Sequence, residues 1–592
     1  MPEVVLGVNL TRTSDGIPLD DGAAALLEDG VVTVAIAEER LVRRKHAGGV
    51  VNAVRYCLAT RGLELHDVDR VAVSLCCDLP PEPAMALSQL RSEGLAVRED
   101  QLVVVPSHHL SHAASAFYPS PFEDAVVIVA DNEGTIIGDR TRTHYWHNRL
   151  ERTSVFIGRG TELQLLRRYG DEPGQLSLGA TYNHFIKWLG FRTHHEAGQV
   201  MALAAYGSGK LSSVEIFTSI NDGFRCLLQP ALLTNQVEEH KTGPPDEFDI
   251  EAARLLQADA VRALIMEQSG IDIGAGRSSC YEPDQTQCDV AELIQSELQH
   301  ALVELVRSTI DETGIQRVCL AGGVALNCVA NTMIAQLNEI EELYIQPAAG
   351  DVGQPLGNAL LAYHHTKRRP RHWTMPTCAL GRSYPTSEVD AVLERCSDRI
   401  ATETIDDPAA TAALLLTQQL TIGWFSGGSE FGPRGLGRRS VLGDPRSAET
   451  KTRLDNLHKL RAPFRPYAPS VLAEEVSAWF DVDDRFTRTA AQPMSAMLVA
   501  PKLREDRSHL VPAVAFTDGT ARLQAVTAHE NPLYYRLIRH FARLTGIPMV
   551  LNTSFNASGD PVVETPEDAI ESMLKMRLDA LIIDRRLVRA KG

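Results

Sequence analysis

Short apolar runs closed by turn residues alternate with stretches of helical spacing along the first part of the chain. Val4–Asn9 reads as a strand, and Gly30–Glu38 (GVVTVAIAE) as a second, entered from a turn at Glu28-Asp-Gly. Val71–Leu75 and Leu102–Val105 read as short buried strands, and Ala125–Asp131 as another that ends in Asn132-Glu-Gly. Between them, Val51–Arg61 and His109–Phe117 place apolar residues three and four apart, the spacing of helices. Such alternation predicts a layered α/β domain.

Residues 140–285 are less regular and include the Pro/Asp-rich stretch Thr242-Gly-Pro-Pro-Asp-Glu, so they read as insertions over a cleft. Order returns with an amphipathic helix over Val290–Thr313, a strand at Arg317–Ala321, the turn Gly322-Gly323 and a helix starting near Leu326. A further strand, Glu342–Ile345, leads to Pro347-Ala-Ala-Gly-Asp351. The strand, Gly-rich turn, helix device thus recurs, and two similar halves facing a cleft suit a nucleotide. Composition changes around 366–385, read as a linker. A second α/β unit follows, with a strand at Leu420–Phe425 running into Ser426-Gly-Gly-Ser-Glu-Phe-Gly-Pro-Arg434, a helix at Pro532–Thr545 and a strand at Met549–Leu551.

At 592 residues the chain exceeds one ordinary hydrophobic core, so two to four domains are expected. A content of 44% hydrophobic and 23% charged residues fits a soluble globular protein, and the net charge of −18 disfavours nucleic acid as the partner. The ten cysteines show no ligand or disulfide spacing, which points to buried thiols in a reducing compartment. The start MPEVVLGVNLTRTSDG lacks the basic and apolar regions of a signal peptide, and no run of eighteen apolar residues occurs. A cytoplasmic protein with no membrane partner is expected, and a homodimer is compatible with it.

Four stretches carry chemistry. In Ser107-His-His-Leu-Ser-His112, His108 and His112 are four apart at the start of a helix, so both imidazoles share a face and can hold one metal ion; His109 lies off that face. Asp131 and Asp351 each follow a strand, and two His with two Asp suit Fe(II), Mn or Zn over Ca or Mg. The competing reading makes the histidines polar caps and the aspartates helix caps. The turn Ala321-Gly-Gly-Val-Ala-Leu-Asn327 lets backbone N–H groups approach a phosphate, or serves close packing. Arg434, Arg438, Arg439, Lys459, Arg461 and Arg465 form a basic cluster with few acids, which reads as an anion pocket. Leu551-Asn-Thr-Ser-Phe-Asn556 adds short hydrogen-bonding side chains, or is an Asx-rich turn.

Taken together these residues resemble a known family. His108-xxx-His112, Asp131, Gly322-Gly-Val-Ala-Leu-Asn327 and Gly350-Asp351 are similar to the ATPase-fold domain of the tRNA threonylcarbamoyladenosine enzyme. GPRGLGRRSVLGDPR, Lys459-x-Arg461, FRPYAPSVL and NTSFN resemble the YrdC-like domain fused to it in the nodulation and antibiotic O-carbamoyltransferases, such as the tobramycin-type aminoglycoside, cephamycin and ansamycin enzymes. The resemblance implies an α/β fold with an actin-like ATPase-fold domain of two halves over 1–368, insertions at about 140–285, a linker at 369–385 and a YrdC-like α/β domain over 386–592.

It also implies a reaction. Carbamoyl phosphate would sit on Arg434, Lys459, Arg465, Ser554 and Asn556, with Lys459 and Arg434 taking part in catalysis, while Arg461 and Arg522 hold ATP with its Mg. Carbamoyl adenylate would pass through an internal channel to a second site, where Gly323 and Asn327 contact the nucleotide and His108, His112, Asp131 and Asp351 hold the metal, Fe(II) first, then Mn or Zn. There a hydroxyl of a macrolide or other polyketide, its sugar, or an aminoglycoside would take the carbamoyl group. The family's usual His-Asp-Ala-Ser after the first strand reads Asp20-Asp-Gly-Ala here, which makes Asp20 the candidate base. The usual Gly-Lys reads Gly198-Gln199, and the usual Asn before Arg439 is Arg438. The acceptor is expected near Thr11–Asp21 and the 140–285 insertions, with Asp15, Asp20 and Asp21 offering an acidic rim. Two other readings are a tRNA threonylcarbamoyladenosine-type enzyme, which the net charge opposes, and a non-catalytic actin-like ATP-binding regulator, which has no use for the Lys459 pocket.

Overall fold

The computed structural model describes residues 2–11, 20–76, 82–138, 149–172, 175–220, 223–228, 247–277 and 279–591. Asp15 and residues 242–246 lie outside them. The first sheet has the order β3-β2-β1-β4-β5, from β1 (Val4–Thr11), β2 (Ala23–Glu28), β3 (Val31–Ala37), β4 (Arg70–Cys76) and β5 (Leu102–Val104). The β1–β2 and β2–β3 pairs are antiparallel, and the β1–β4 and β4–β5 pairs are parallel.

A second sheet repeats this plan with β6 (Asp124–Ala130), β7 (Thr153–Arg159) and β8 (Glu162–Tyr169). After a separate hairpin, β9 (Phe217–Ile220) and β10 (Gly223–Cys226), come β11 (Arg317–Ala321) and β12 (Glu342–Ile345). The β6–β7 and β7–β8 pairs are antiparallel, and the β6–β11 and β11–β12 pairs are parallel. Two halves of identical strand order and sense make this the actin-like ATPase fold.

The remaining strands are β13 (Ile400–Thr404), β14 (Ile422–Phe425), β15 (Arg439–Gly443), β16 (Ala468–Leu472), β17 (Gln524–Val526), β18 (Met549–Ser554), β19 (Ala580–Ile583) and β20 (Arg586–Ala590). They form one mixed sheet of order β13-β20-β19-β14-β15-β18-β16-β17. A single apolar cluster runs from Val126 and Ile128 of β6 through Val318 of β11 to Trp424 and Leu551 of this third sheet. The segment 369–385 has no helix or strand, yet it is fastened on both sides. The Arg371 guanidinium donates to the carbonyls of Tyr118, Ser120 and Phe122 and lies 4.4 Å from the Phe117 ring centroid. The Leu380 carbonyl accepts from Ala35 N–H at 3.0 Å, and Gly381 N–H donates to Ser429 O at 2.9 Å.

Two expectations need correction. The 140–285 stretch is not only insertion, because it supplies β7 and β8 of the second sheet. Its apolar signal is weak because β8 (ELQLLRRY) is an edge strand with partly exposed positions, where charged residues are tolerated. The second omission is β2 (AAALLE), whose Ala and Leu residues carry helical propensity; pairing on both sides and nearly complete burial make it a strand.

Between the two N-terminal sheets lie two helices, His108–Phe117 and Gln354–Lys367. They approach most closely at Gly357, where a Cβ would stand 2.1 Å from Ser111 O and 2.7 Å from Ser115 N. Only hydrogen fits, and the facing run Ala113-Ala-Ser-Ala is small for the same reason. Gly357→Ala must push the helices apart, a backbone shift expected to cost about 1–3 kcal/mol in chemical denaturation. It should also weaken metal retention, because three of the four donors described below, His108, His112 and Asp351, lie in or just before these two helices.

Buried histidines set an acid limit. Burial pushes His184 and His364 down to about 4 from the ordinary 6.5, against hydrogen bonds to Ala180 O and Arg369 O. The unfolded chain therefore binds the extra protons first, so this stability is complete above 6.5 and is lost as pH falls toward 4. Glu133, pushed up to about 8 by burial, works in the opposite direction. The denaturation midpoint is expected to fall between pH 7 and pH 5, and the fall should be smaller in His184→Gln.

Candidate active site

The helix that starts at His108 is fixed by Ser107, whose Oγ accepts the Leu110 N–H at 2.9 Å. Ser107 Oγ in turn donates to Glu151 Oε1 at 2.5 Å, and Glu151 Oε2 accepts the His109 N–H at 3.1 Å. His108 N–H donates to Thr135 Oγ1 at 3.0 Å. This end of the helix is thus held by residues well downstream, and His108 and His112 lie on its buried face at 1% and 0% exposure. Asp131 follows the carboxyl end of β6, and Gly322-Gly323 follows the carboxyl end of its parallel neighbour β11. Adjacent parallel strand ends are where α/β sheets form ligand crevices. Gly323 N–H donates to Asp131 Oδ1 at 3.2 Å, while Gly322 has φ +87° with Ala130 O 2.3 Å from where a Cβ would be. Asp351 precedes the helix Gln354–Lys367 by one tight turn.

These four side chains converge. His112 Nε2 lies 3.0 Å from Asp131 Oδ2 and 3.2 Å from Asp351 Oδ1. His108 Nε2 lies 3.4 Å and 3.2 Å from the same oxygens, and the two Nε2 atoms are 3.2 Å apart. Edges of that length put a common centre about 2 Å from each atom, the length of a transition-metal bond to imidazole or carboxylate. Two ring nitrogens so close to two carboxylates fit a shared divalent ion. Gln354 Nε2 donates to Asp351 Oδ1 at 2.9 Å, and Asn9 Nδ2 to the Asp351 carbonyl at 3.1 Å. Burial opposes ionisation of Asp131 and Asp351, yet the two histidines hold both carboxyls well below the usual range. Burial likewise opposes the charged form of His112, but the two carboxylates hold its pKa above the ordinary value.

A second group of residues gathers beside the third sheet. Glu430 Oε1 accepts the backbone N–H groups of Leu436, Arg438 and Arg439, which shapes the Gly-rich loop bearing Arg434. Among the described residues the side chains of Arg434, Arg465 and Arg522 have no carboxylate partner, and the buried Nε atoms of Arg434 and Arg522 have no hydrogen-bond partner. Burial lowers the pKa of all three; Arg434 feels Arg522 and Arg465, and Arg465 feels Arg461 and Arg522. Half-buried cations held close together are costly unless an anion joins them. Lys459 is buried, and its Nζ donates to the carbonyls of Ser554 at 2.5 Å and Asn556 at 2.8 Å and to Asn556 Oδ1 at 3.2 Å. Ser554 Oγ donates to Asn556 Oδ1 at 2.6 Å.

The two groups are linked. Arg434 and Arg522 both act electrostatically on the buried Cys328 thiol, the first residue of the helix Cys328–Ala335. That helix continues the turn whose Gly323 touches Asp131. One turn therefore has the histidine–aspartate cluster at its start and the arginines at its end.

The chain matches the model of the carbamoyltransferase N-terminus over residues 15–78 and 84–360, and that of the carbamoyltransferase C-terminus over 413–590. It belongs to the carbamoyltransferase family. Nodulation protein NolNO of Sinorhizobium fredii is 32% identical over 97% of the chain and 79% of its own length. Protein sll1178 of Synechocystis is 31% identical over 95% of the chain and 94% of its own length. The 3'-hydroxymethylcephem-O-carbamoyltransferase of Streptomyces clavuligerus is 26% identical over 64% of the chain and 61% of its own length.

In this carbamoyltransferase some expected contacts are already engaged by protein. Asn327 Oδ1 accepts the Ala330 N–H at 3.1 Å as a helix cap, and its amide exchanges hydrogen bonds with Gln295. Arg461 pairs with Asp455 at 3.1 Å and donates to the carbonyls of Arg465 and Pro466. The basic cluster is thus less free of acid than its sequence suggests. Asp20 meets His195, 3.3 Å from Nε2 to Oδ2, and this hydrogen bond outweighs burial and lowers the Asp20 carboxyl. Sequence reasoning missed His46, His194 and His195, which gather around Asp20 and Asp21. It also missed Gln354, Asn9, Glu151 and Glu430. The run His194-His-Glu next to the Gly198-Gln199 departure was the available signal for the first group. No helix of the described residues is long and apolar enough to cross a membrane.

Proposed function

We propose that this carbamoyltransferase converts carbamoyl phosphate and ATP to carbamoyl adenylate at the Arg434/Arg465/Arg522/Lys459 group, then transfers the carbamoyl group to a small-molecule hydroxyl at the histidine–aspartate cluster. The observation that carries the reading is the set of half-buried arginines with no acid partner among the described residues, beside a turn that leads to a four-ligand cluster. Arg434, Lys459, Arg465, Ser554 and Asn556 would bind carbamoyl phosphate, and Arg461 and Arg522 the phosphates of ATP with its Mg. Hydrolysis of carbamoyl phosphate by one water releases phosphate and leaves carbamate, whose oxygen attacks the α-phosphorus of ATP, and pyrophosphate departs with the electron pair. The arginines stabilise the negative charge that develops on both leaving groups. The mixed anhydride is water-labile, so a short route along the turn 323–328 would favour transfer over hydrolysis.

His108, His112, Asp131 and Asp351 would hold the metal, and their two nitrogens and two oxygens fit Fe(II), Mn or Zn. An ion there supplies positive charge for the phosphate of AMP, the leaving group. Gly323, exposed at the turn, offers its backbone to the nucleotide. A relative named for transfer to a hydroxymethyl cephem supports a natural-product acceptor, here a macrolide or other polyketide, its sugar, or an aminoglycoside. The test incubates the metal-loaded protein with carbamoyl phosphate and ATP and follows pyrophosphate, then screens hydroxylated antibiotic scaffolds by mass spectrometry for a gain of one carbamoyl group. Pyrophosphate release that is indifferent to carbamoyl phosphate would overturn the reading.

A further inference from the structure

Residues from three separate stretches meet at the edge of the transfer site. Asp20 and Asp21 precede β2, His46 follows β3, and His194 and His195 form a short turn far along the chain. The His46 and His195 rings are stacked with centroids 3.4 Å apart and planes 11° from parallel. Each ring has its own carboxylate: His46 Nδ1 is 2.9 Å from Asp21 Oδ1, and His195 Nε2 is 3.3 Å from Asp20 Oδ2. Asp21 and His46 have φ of 57° and 54°, left-handed values disfavoured for residues with a Cβ. Asn9 Nδ2 bonds both the Asp21 carbonyl, at 2.9 Å, and the Asp351 carbonyl, so the group is tied to the histidine–aspartate cluster through one side chain.

Two uses suit such a group, a second cation or a proton acceptor. The ring geometry rules out one cation shared by His46 and His195. An imidazole binds a metal along the nitrogen lone pair, in the plane of its ring. Parallel planes 3.4 Å apart cannot both contain one ion, so His46 and His195 do not share a cation in this arrangement. The arrangement instead matches a histidine oriented by a carboxylate, as in acyl-transfer enzymes. With Nε2–H donated to Asp20, the lone pair lies on Nδ1, which has no hydrogen-bond partner among the described residues. The His195 side chain is 15% exposed, so a solute can reach it, while Asp20 is 52% exposed.

We propose that His195 is the catalytic base for the attacking hydroxyl and Asp20 its positioning residue, which deepens the transfer reading and rests on it. The hydroxyl oxygen bonds to the carbamoyl carbon, and the bond from that carbon to the phosphate oxygen breaks, with its electron pair leaving on AMP. The hydroxyl proton passes to His195 Nδ1, and the imidazolium keeps its hydrogen bond to Asp20. The Asp20 carboxyl, lowered below its ordinary value chiefly by the His195 hydrogen bond, is a weak proton acceptor at neutral pH and suits the supporting part. The charged or titratable groups around the ring are Asp20, His46 with Asp21 behind it, and His194, which burial keeps toward the neutral form. Glu196 is turned back onto the Arg192 and Thr193 N–H groups.

The test uses the full-length metal-loaded protein with carbamoyl phosphate, ATP and either methanol or hydroxylamine. Methanol must lose its proton as it attacks, whereas hydroxylamine attacks as the neutral amine. His195→Gln is expected to lower methyl carbamate formation by about 10²-fold or more and flatten its pH profile, with hydroxyurea formation and pyrophosphate release within about twofold of the parent. Asp20→Asn should cause a smaller loss and retain the pH slope. Methyl carbamate within about threefold of the parent, or an equal loss with both nucleophiles, overturns the assignment. Parent protein that releases no pyrophosphate refutes the adenylate chemistry itself, and the inference with it, by a result distinct from either.

Discussion

His108→Ala/His112→Ala is expected to strip the metal from the protein and to reduce carbamoyl transfer to below about a hundredth of the parent rate, while pyrophosphate release driven by carbamoyl phosphate continues. The two imidazoles are half of the donor set and are almost wholly buried. Without them Asp131 and Asp351 are left facing each other, and their carboxyls lose the partners that hold them low. The sign of the stability effect follows. A carboxyl depressed in the native state contributes stability above its unfolded pKa, and that stability is lost as pH falls through the native one. The double variant lacks this contribution, so its denaturation midpoint near neutrality should drop and vary less on the acid side. Elemental emission on the purified protein reads the metal, and separate assays of pyrophosphate and carbamate ester read the two half-reactions. Equal loss of both half-reactions would mean that the cluster serves the fold as a whole.

The chain shows unevenly how such a site could be read in advance. Buried strands such as Arg317–Ala321 and Glu342–Ile345, and the helices Val51–Arg61 and Pro532–Thr545, stand at the residues their patterns indicate, because buried apolar runs closed by turns and helical spacing leave strong signals. The edge strand β8 and the Ala-rich β2 do not, since pairing and burial rather than their own residues make them strands. Among site residues, His108 and His112 are legible by spacing, and Asp131 and Asp351 by their place after strands. Which partners they find is not local information. Gln354 reaches His108 across 246 positions, and Asp20 meets His195 across 175. The basic cluster was legible as charge, but only the fold separates Arg461, tied to Asp455, from Arg434, Arg465 and Arg522, which have no acid partner among the described residues.

Lys459→Met is expected to abolish pyrophosphate release, by at least about 10²-fold, and to leave metal content and folding intact. The Nζ group is buried between two carbonyls and an amide oxygen, so an apolar chain of similar length fills its place without leaving a charge unpaired. Burial, and then Arg461 and Arg465, depress the Lys459 pKa well below 10.5, so its proton is lost more readily than that of an exposed lysine as pH rises. A bound phosphate favours the ammonium form, so binding takes up a proton where Lys459 is otherwise neutral. Calorimetry with inorganic phosphate should therefore show affinity that weakens as pH rises through the depressed pKa, and Lys459→Met should show weaker binding without that dependence. The variant also tests the passage. Mixed with His108→Ala/His112→Ala, it supplies an intact transfer site to a partner with an intact adenylating site. If the adenylate travels inside one chain along residues 323–328, the mixture restores almost no carbamate ester. A mixture that recovers a substantial share of the parent rate would show the intermediate crossing through solvent, and the linkage through Cys328 would then be structural alone.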